Sequence, residues 1–207
     1  MDIFVQQIIN GLVLGSIYAL VALGYTMVYG ILELINFAHG EVTMIGAMVA
    51  LAVIGAIAGS TLDLPGLMVV LAGLLVAIPA CMLLGFTIET VAYRPLRRAP
   101  RLAPLITAIG VSIVLQNAAM LIWGRQYVSF PPLIPQNRHD VLGAHITDLQ
   151  IFIVLLSMLI MGGLWLLVQK SRLGRAMRAT AQSKEVAALM GVNVDRVVSA
   201  TFLIGSA

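Results

Sequence analysis

From Ile3 through Leu32 the chain carries no acidic or basic side chain. About 20 apolar residues suffice to cross the hydrocarbon core as a helix, so this run is longer than one span and implies tilt, a kink or an overhang. Four more apolar runs follow at residues 42–62, 64–88, 102–124 and 149–169. In hydrocarbon every backbone polar group must be satisfied internally, which leaves helices and closed barrels as spanning forms, and uninterrupted runs of this length select helices. The expected fold is therefore all-α: a polytopic integral membrane protein with five complete transmembrane helices. A further apolar stretch of 11 residues after Arg196 is expected to be the start of a sixth, cut off by the end of the chain. We find no internal repeat and no stretch long and polar enough for a soluble domain, so residues 1–207 read as one membrane domain.

Charge sets the orientation. Only 10% of the residues are charged, against about 25% in soluble domains. A basic patch for nucleic acid needs aqueous surface, which such a chain lacks, so the formal charge of +3 does not indicate a nucleic-acid partner. Ten of the 12 Lys and Arg residues lie within residues 94–101 and 170–196, with only Arg125 and Arg138 in the connection between. The positive-inside rule puts the two basic segments in the cytoplasm and residues 125–148 outside. Alternation then puts the N-terminus outside, and the absence of a basic region ahead of the first apolar run makes that run a retained span rather than a cleaved leader.

Details of the spans follow from single residues. Pro79 predicts a kink in the third. Gly11-x-x-x-Gly15 and Gly55-x-x-x-Gly59 have the spacing that allows close helix approach, although glycine is common in membrane helices without that role. Cys81, the single cysteine, reads as a small buried hydrophobe. Asn10, Gln116 and Asn117 interrupt apolar runs and are expected to hydrogen-bond between helices. Residues 93–101, with four arginines and two prolines, read as a stiff loop in water.

Two polar stretches stand out. The first, Glu33 to Glu41, contains Asn36, His39 and Glu41 between two spans. It is either a tight surface turn whose polar groups cap helix ends, or a helix break within the bilayer whose polar groups line a path. His39 and Glu41 are two residues apart and point to different sides of a helix, so no metal site is expected. The second, residues 170–196, holds Arg172, Arg175 and Arg178 followed by a short amphipathic pattern. Ser183 can cap a helix, Glu185 suits its positive end, Val186, Leu189 and Met190 form one apolar stripe, and Gly191 can terminate it in the left-handed conformation. Ala187 and Ala188 are small enough for close approach. Such a helix either lies on anionic lipid or docks in a pocket of a protein partner.

The residues resemble a known family. Glu185-x-Ala187-Ala188-x-x-Gly191 is similar to the cytoplasmic coupling motif of ABC importer permeases. The blocks Gly174 to Ala179, Gly191 to Arg196, Gly24 to Gly30, Ile35 to Glu41 and Tyr93 to Arg97 resemble the branched-chain amino acid permease family, and the resemblance spans essentially the whole chain. Members of that family run on for several more spans. The resemblance implies a high-affinity uptake system of a bacterial inner membrane. In it this chain would pair with a second homologous permease subunit, two cytoplasmic ATP-binding subunits and a periplasmic solute-binding protein. It implies an ATPase-coupling role for Ser183, Glu185, Ala187, Ala188, Leu189 and Gly191. Asn36, His39 and Glu41 are candidates for the translocation path, and Arg94, Arg97, Arg98, Arg172, Arg175 and Arg178 for anchoring at the membrane surface.

No Walker loop is present and no nucleophile accompanies His139 or His145, so ATP and Mg2+ fall to partner subunits and the chain reads as a non-enzymatic permease subunit. A self-sufficient channel or secondary transporter for a small polar solute such as urea is the alternative. It would require paired ionisable residues deep in several spans, and these spans have almost none.

Overall fold

The structure, a computed structural model, describes residues 2–32, 35–59, 65–97, 99–100, 102–131, 137–141 and 144–207. Eight α-helices are described: α1 (Asp2–Leu32), α2 (His39–Ala58), α3 (Gly66–Ile88), α4 (Leu102–Trp123), α5 (Asp148–Lys170), α6 (Arg172–Gln182), α7 (Lys184–Leu189) and α8 (Val194–Ser206). Five are long and apolar enough to cross a membrane, with starts and ends within a few residues of the apolar runs wherever both are described, save at the end of the third. Isoleucines and leucines such as Ile3, Leu75, Leu121 and Leu159 point away from the bundle. That inverted exposure suits a hydrocarbon solvent, where apolar side chains need no shelter.

Two features differ from the sequence expectation. The segment read as a loop in water after Glu89 continues α3 through a π-helical turn, Glu89–Tyr93, and a 3-10 turn, Arg94–Leu96, so the spanning element runs to Leu96. Burial and pairing of Glu89 remove its need for water. The 125–148 connection, in turn, contains a hairpin of β1 (Arg138–Val141) and β2 (Ala144–Thr147), antiparallel with Arg138 opposite Thr147. Leu62, Asp63 and Leu64, at the second and third runs' boundaries, lie outside the described residues, as do Glu33 and Arg98.

Close helix approach is made by glycines other than those in the small-residue motifs. Among the described residues a side chain on Gly11, Gly15 or Gly55 would meet nothing, and one on Gly59 only its own helix. Gly46 instead faces Cys81, Gly73 faces Ala50 and Ile54, and Gly24 admits the His39 ring. Cys81 is buried as expected, its thiol 3.6 Å from the Val42 carbonyl.

Hydrogen bonds fix which ends lie together. At one end of the bundle Gln6, near the start of α1, exchanges bonds with the His145 backbone in β2, at 2.8 and 3.1 Å. Gln150 of α5 reaches Asn10 of α1 at 3.5 Å, an interhelical bond of the expected kind. The opposite end gathers the last turns of α1, α3 and α5 with α6, α7 and the start of α8. Its core is Val28, Ile31, Tyr93, Met177, Val198 and Phe202, with the Tyr93 and Phe202 rings 5.5 Å apart. The two basic segments meet here, while the N-terminus and the 125–148 connection share the other end, in keeping with the charge-based topology.

Candidate functional site

The basic end carries a short helix built from local signals. Ser183 is extended (φ −161°, ψ 116°), which breaks α6 from α7, and its Oγ accepts from the Val186 amide at 3.3 Å. At the far end Gly191 has φ 82°, and the amides of Gly191 and Val192 donate to the carbonyls of Ala188 and Ala187, both at 3.0 Å. These are the two bonds of a Schellman motif, which needs a left-handed residue at Gly191. Ala187 is buried against the bundle, whereas Val186, Leu189 and Met190 are 57, 85 and 80% exposed. Glu185 and Ala188 also face outward. A capped and rigidly terminated helix thus presents an apolar stripe beyond the membrane-spanning helices, with no partner among the described residues.

The arginines before it are used differently from one another. Arg172 and Arg94 are exposed. Arg175 donates to the Lys170 carbonyl at 3.3 Å and Arg178 to the Val168 carbonyl, so both satisfy the open C-terminus of α5 and favour its dipole. Arg97, expected at the membrane surface, is turned inward. Its guanidinium pairs with Glu89 on one side and Asp195 of α8 on the other. Glu89 is 0% exposed, also accepts from Ser199 Oγ at 2.8 Å, and would be a bare buried charge without Arg97.

The other polar stretch lies within the bundle. Asn36 is buried, and its Oδ1 accepts from the Ala38 amide at 3.2 Å and from the Tyr93 hydroxyl at 2.8 Å. His39 is buried against Gly24 and lies edge-on to Tyr25, ring centroids 4.6 Å apart. Gly24 precedes the end of α1 by eight residues, roughly 12 Å of helix. Glu41 Oε1 accepts from Ser112 Oγ at 3.0 Å and from Gln116 Nε2 at 2.7 Å. Ser112 is the eleventh of the 22 residues of α4, so Glu41 sits near mid-span. Of the two readings left open by the sequence, this geometry fits a helix break inside the bilayer. His39 points to α1 and Glu41 to α4, and the three residues form no single cluster.

His39 borders a mostly apolar cavity of about 670 Å³ between α1, α2 and α3, whose other walls include Thr43, Gly46, Cys81 and Ser206. Gln116 bonds between helices as expected, whereas Asn117 turns back onto the Ile113 carbonyl of its own helix at 2.8 Å. His139 is exposed and pairs with Asp148 at 2.7 Å. Sequence reasoning missed Glu89 and Ser199. The available signal was the Glu89–Arg97 spacing, about two helical turns at the end of an apolar run.

These features define a multi-pass helical membrane protein with a short, capped helix whose apolar stripe faces outward at its basic end. The chain belongs to the family described as branched-chain amino acid transport system / permease component, whose model matches residues 7–207. It is 47% identical over 208 residues to the high-affinity branched-chain amino acid transport system permease protein BraD of Pseudomonas aeruginosa, covering 99% of this chain and 67% of that protein. The permease protein LivH of the same kind of system in Escherichia coli K12 is 47% identical over 210 residues, again over 99% of this chain and 67% of the relative. LivH of Salmonella typhimurium is 46% identical over 210 residues. No solved structure shows a significant match.

Proposed function

We propose that this permease component works as the membrane subunit of an ATP-driven importer for branched-chain or related amino acids in a bacterial inner membrane. Its α7 seats in a cytoplasmic ATP-hydrolysing subunit. The observation that carries this reading is the outward stripe of Val186, Leu189 and Met190 on a helix held by Ser183 and Gly191. Lipid is a poorer match, because a six-residue helix offers little area for interfacial binding. ATP and Mg2+ are bound by two such partner subunits and not by this chain. With the basic end in the cytoplasm, the N-terminus and the 125–148 connection face the periplasm, where a solute-binding protein delivers the cargo.

The translocation path runs along the face of α2 and α4 that bears Glu41, Ser112 and Gln116. A charged side chain facing lipid at mid-span costs about 2.5–3.5 kcal/mol even on insertion scales, so a half-exposed Glu41 favours a face covered by a second permease subunit or by water. Alternating access follows if nucleotide shifts the balance between two packings of the paired subunits. Glu185→Lys and Gly191→Pro test the docking role: membrane insertion should persist while co-purification of the ATP-hydrolysing subunit falls. Unchanged co-purification from both variants would falsify it.

A further inference from the structure

The turn that ends α7 leads within a few residues to Asp195, in the first turn of α8. Asn193 caps that helix, its Oδ1 accepting from the Arg196 amide at 3.0 Å, and the Val192 amide is tied back to Ala187. The segment from α7 to the start of α8 is thus bonded at both ends. Asp195 is held by Arg97, whose other arm holds the buried Glu89, and Ser199, one turn further along α8, also donates to Glu89. Glu89 stands where α3 changes from α-helical to π-helical winding. Single π turns are points where a helix can change register, and they recur at functional sites.

The geometry points to Arg97 as the positioning residue that passes a displacement of α7 to α3, by clamping Asp195 and Glu89 into one unit. Helix α3 packs through Gly73 on α2, whose first turns carry His39 and Glu41, so the clamp joins the docking helix to the intramembrane polar face. A cleft of about 270 Å³ lined by Tyr93, Leu96, Arg97, Lys184, Val194 and Asp195 gives the guanidinium room to shift with either helix. This inference rests on the proposed importer role.

The experiment uses the complete transporter in proteoliposomes and reads ATP hydrolysed per solute moved. Asp195→Asn is the sharper variant, because Asp195 is 60% exposed and the Arg97–Glu89 pair stays intact. ATP consumed per solute should rise roughly 5- to 150-fold, the span of ordinary coupling free energies, with the ATPase still bound. Arg97→Gln should do the same where it inserts. An unchanged ratio in Asp195→Asn, or hydrolysis and transport falling in equal proportion, overturns the clamp. Failure of the unaltered chain to bind any ATPase is a different result, and it overturns the importer role instead.

Discussion

If α7 seats in an ATP-hydrolysing subunit as proposed, truncating its outward stripe is expected to give a measurable loss of affinity with no loss of fold. In the variant Leu189→Ala with Met190→Ala both side chains start 85 and 80% exposed, so the membrane domain loses almost no packing. Substitutions at such positions change stability by about 0.5 kcal/mol or less. If both side chains are buried against an ATP-hydrolysing subunit, each truncation removes several methylene-sized groups, worth roughly 2 kcal/mol of burial. One truncation then weakens binding about 30-fold, and the pair approaches 1,000-fold if additive. Neighbouring residues share partner atoms, so the double variant is expected below that limit. The assay is a titration of the purified ATPase subunit against the chain in nanodiscs, with the thermal midpoint of the chain measured in parallel. Affinity within about threefold of the unaltered protein, at an unchanged midpoint, would refute the reasoning, because a lipid-lying stripe predicts that outcome.

Two further variants probe the helix and the packing that support it. Ser183→Ala removes the cap of α7 and should cost about 1 kcal/mol of local stability, seen as faster amide exchange in residues 184–190 with the spanning helices unaffected. Gly24→Val drives a side chain into the His39 ring and should lower the thermal midpoint in detergent, while Gly15→Val, which meets nothing, should leave it unchanged.

The elements legible in the sequence are those whose causes are local. Hydrocarbon thickness alone sets the length of α4 and α5, so their ends could be read from apolar runs. Ser183 accepts from an amide three residues on, and Gly191 donates to a carbonyl three residues back, which is why the cap and stop of α7 were visible. What stayed hidden depends on residues distant in the chain. Arg97 had to be weighed against Asp195, 98 positions on, before its inward turn could be seen. The depth of Asn36, His39 and Glu41 depends on where Tyr93, Gly24 and Ser112 fall in other helices, and no periodicity within residues 33–41 carries that information. The failure of Gly11-x-x-x-Gly15 to form a contact has the same origin: the motif permits close approach, and a second helix has to be there to use it.

The most direct test of the central claim is site-specific crosslinking from α7 in inner-membrane vesicles holding the complete transporter. A thiol-reactive photocrosslinker placed at Leu189→Cys should join the chain to the ATP-hydrolysing subunit, with a yield that changes on adding ATP. The same probe at Leu159→Cys, on an apolar face of α5, should join it only to lipid. Crosslinks from Leu189→Cys that reach lipid alone, whatever the nucleotide, would contradict the account.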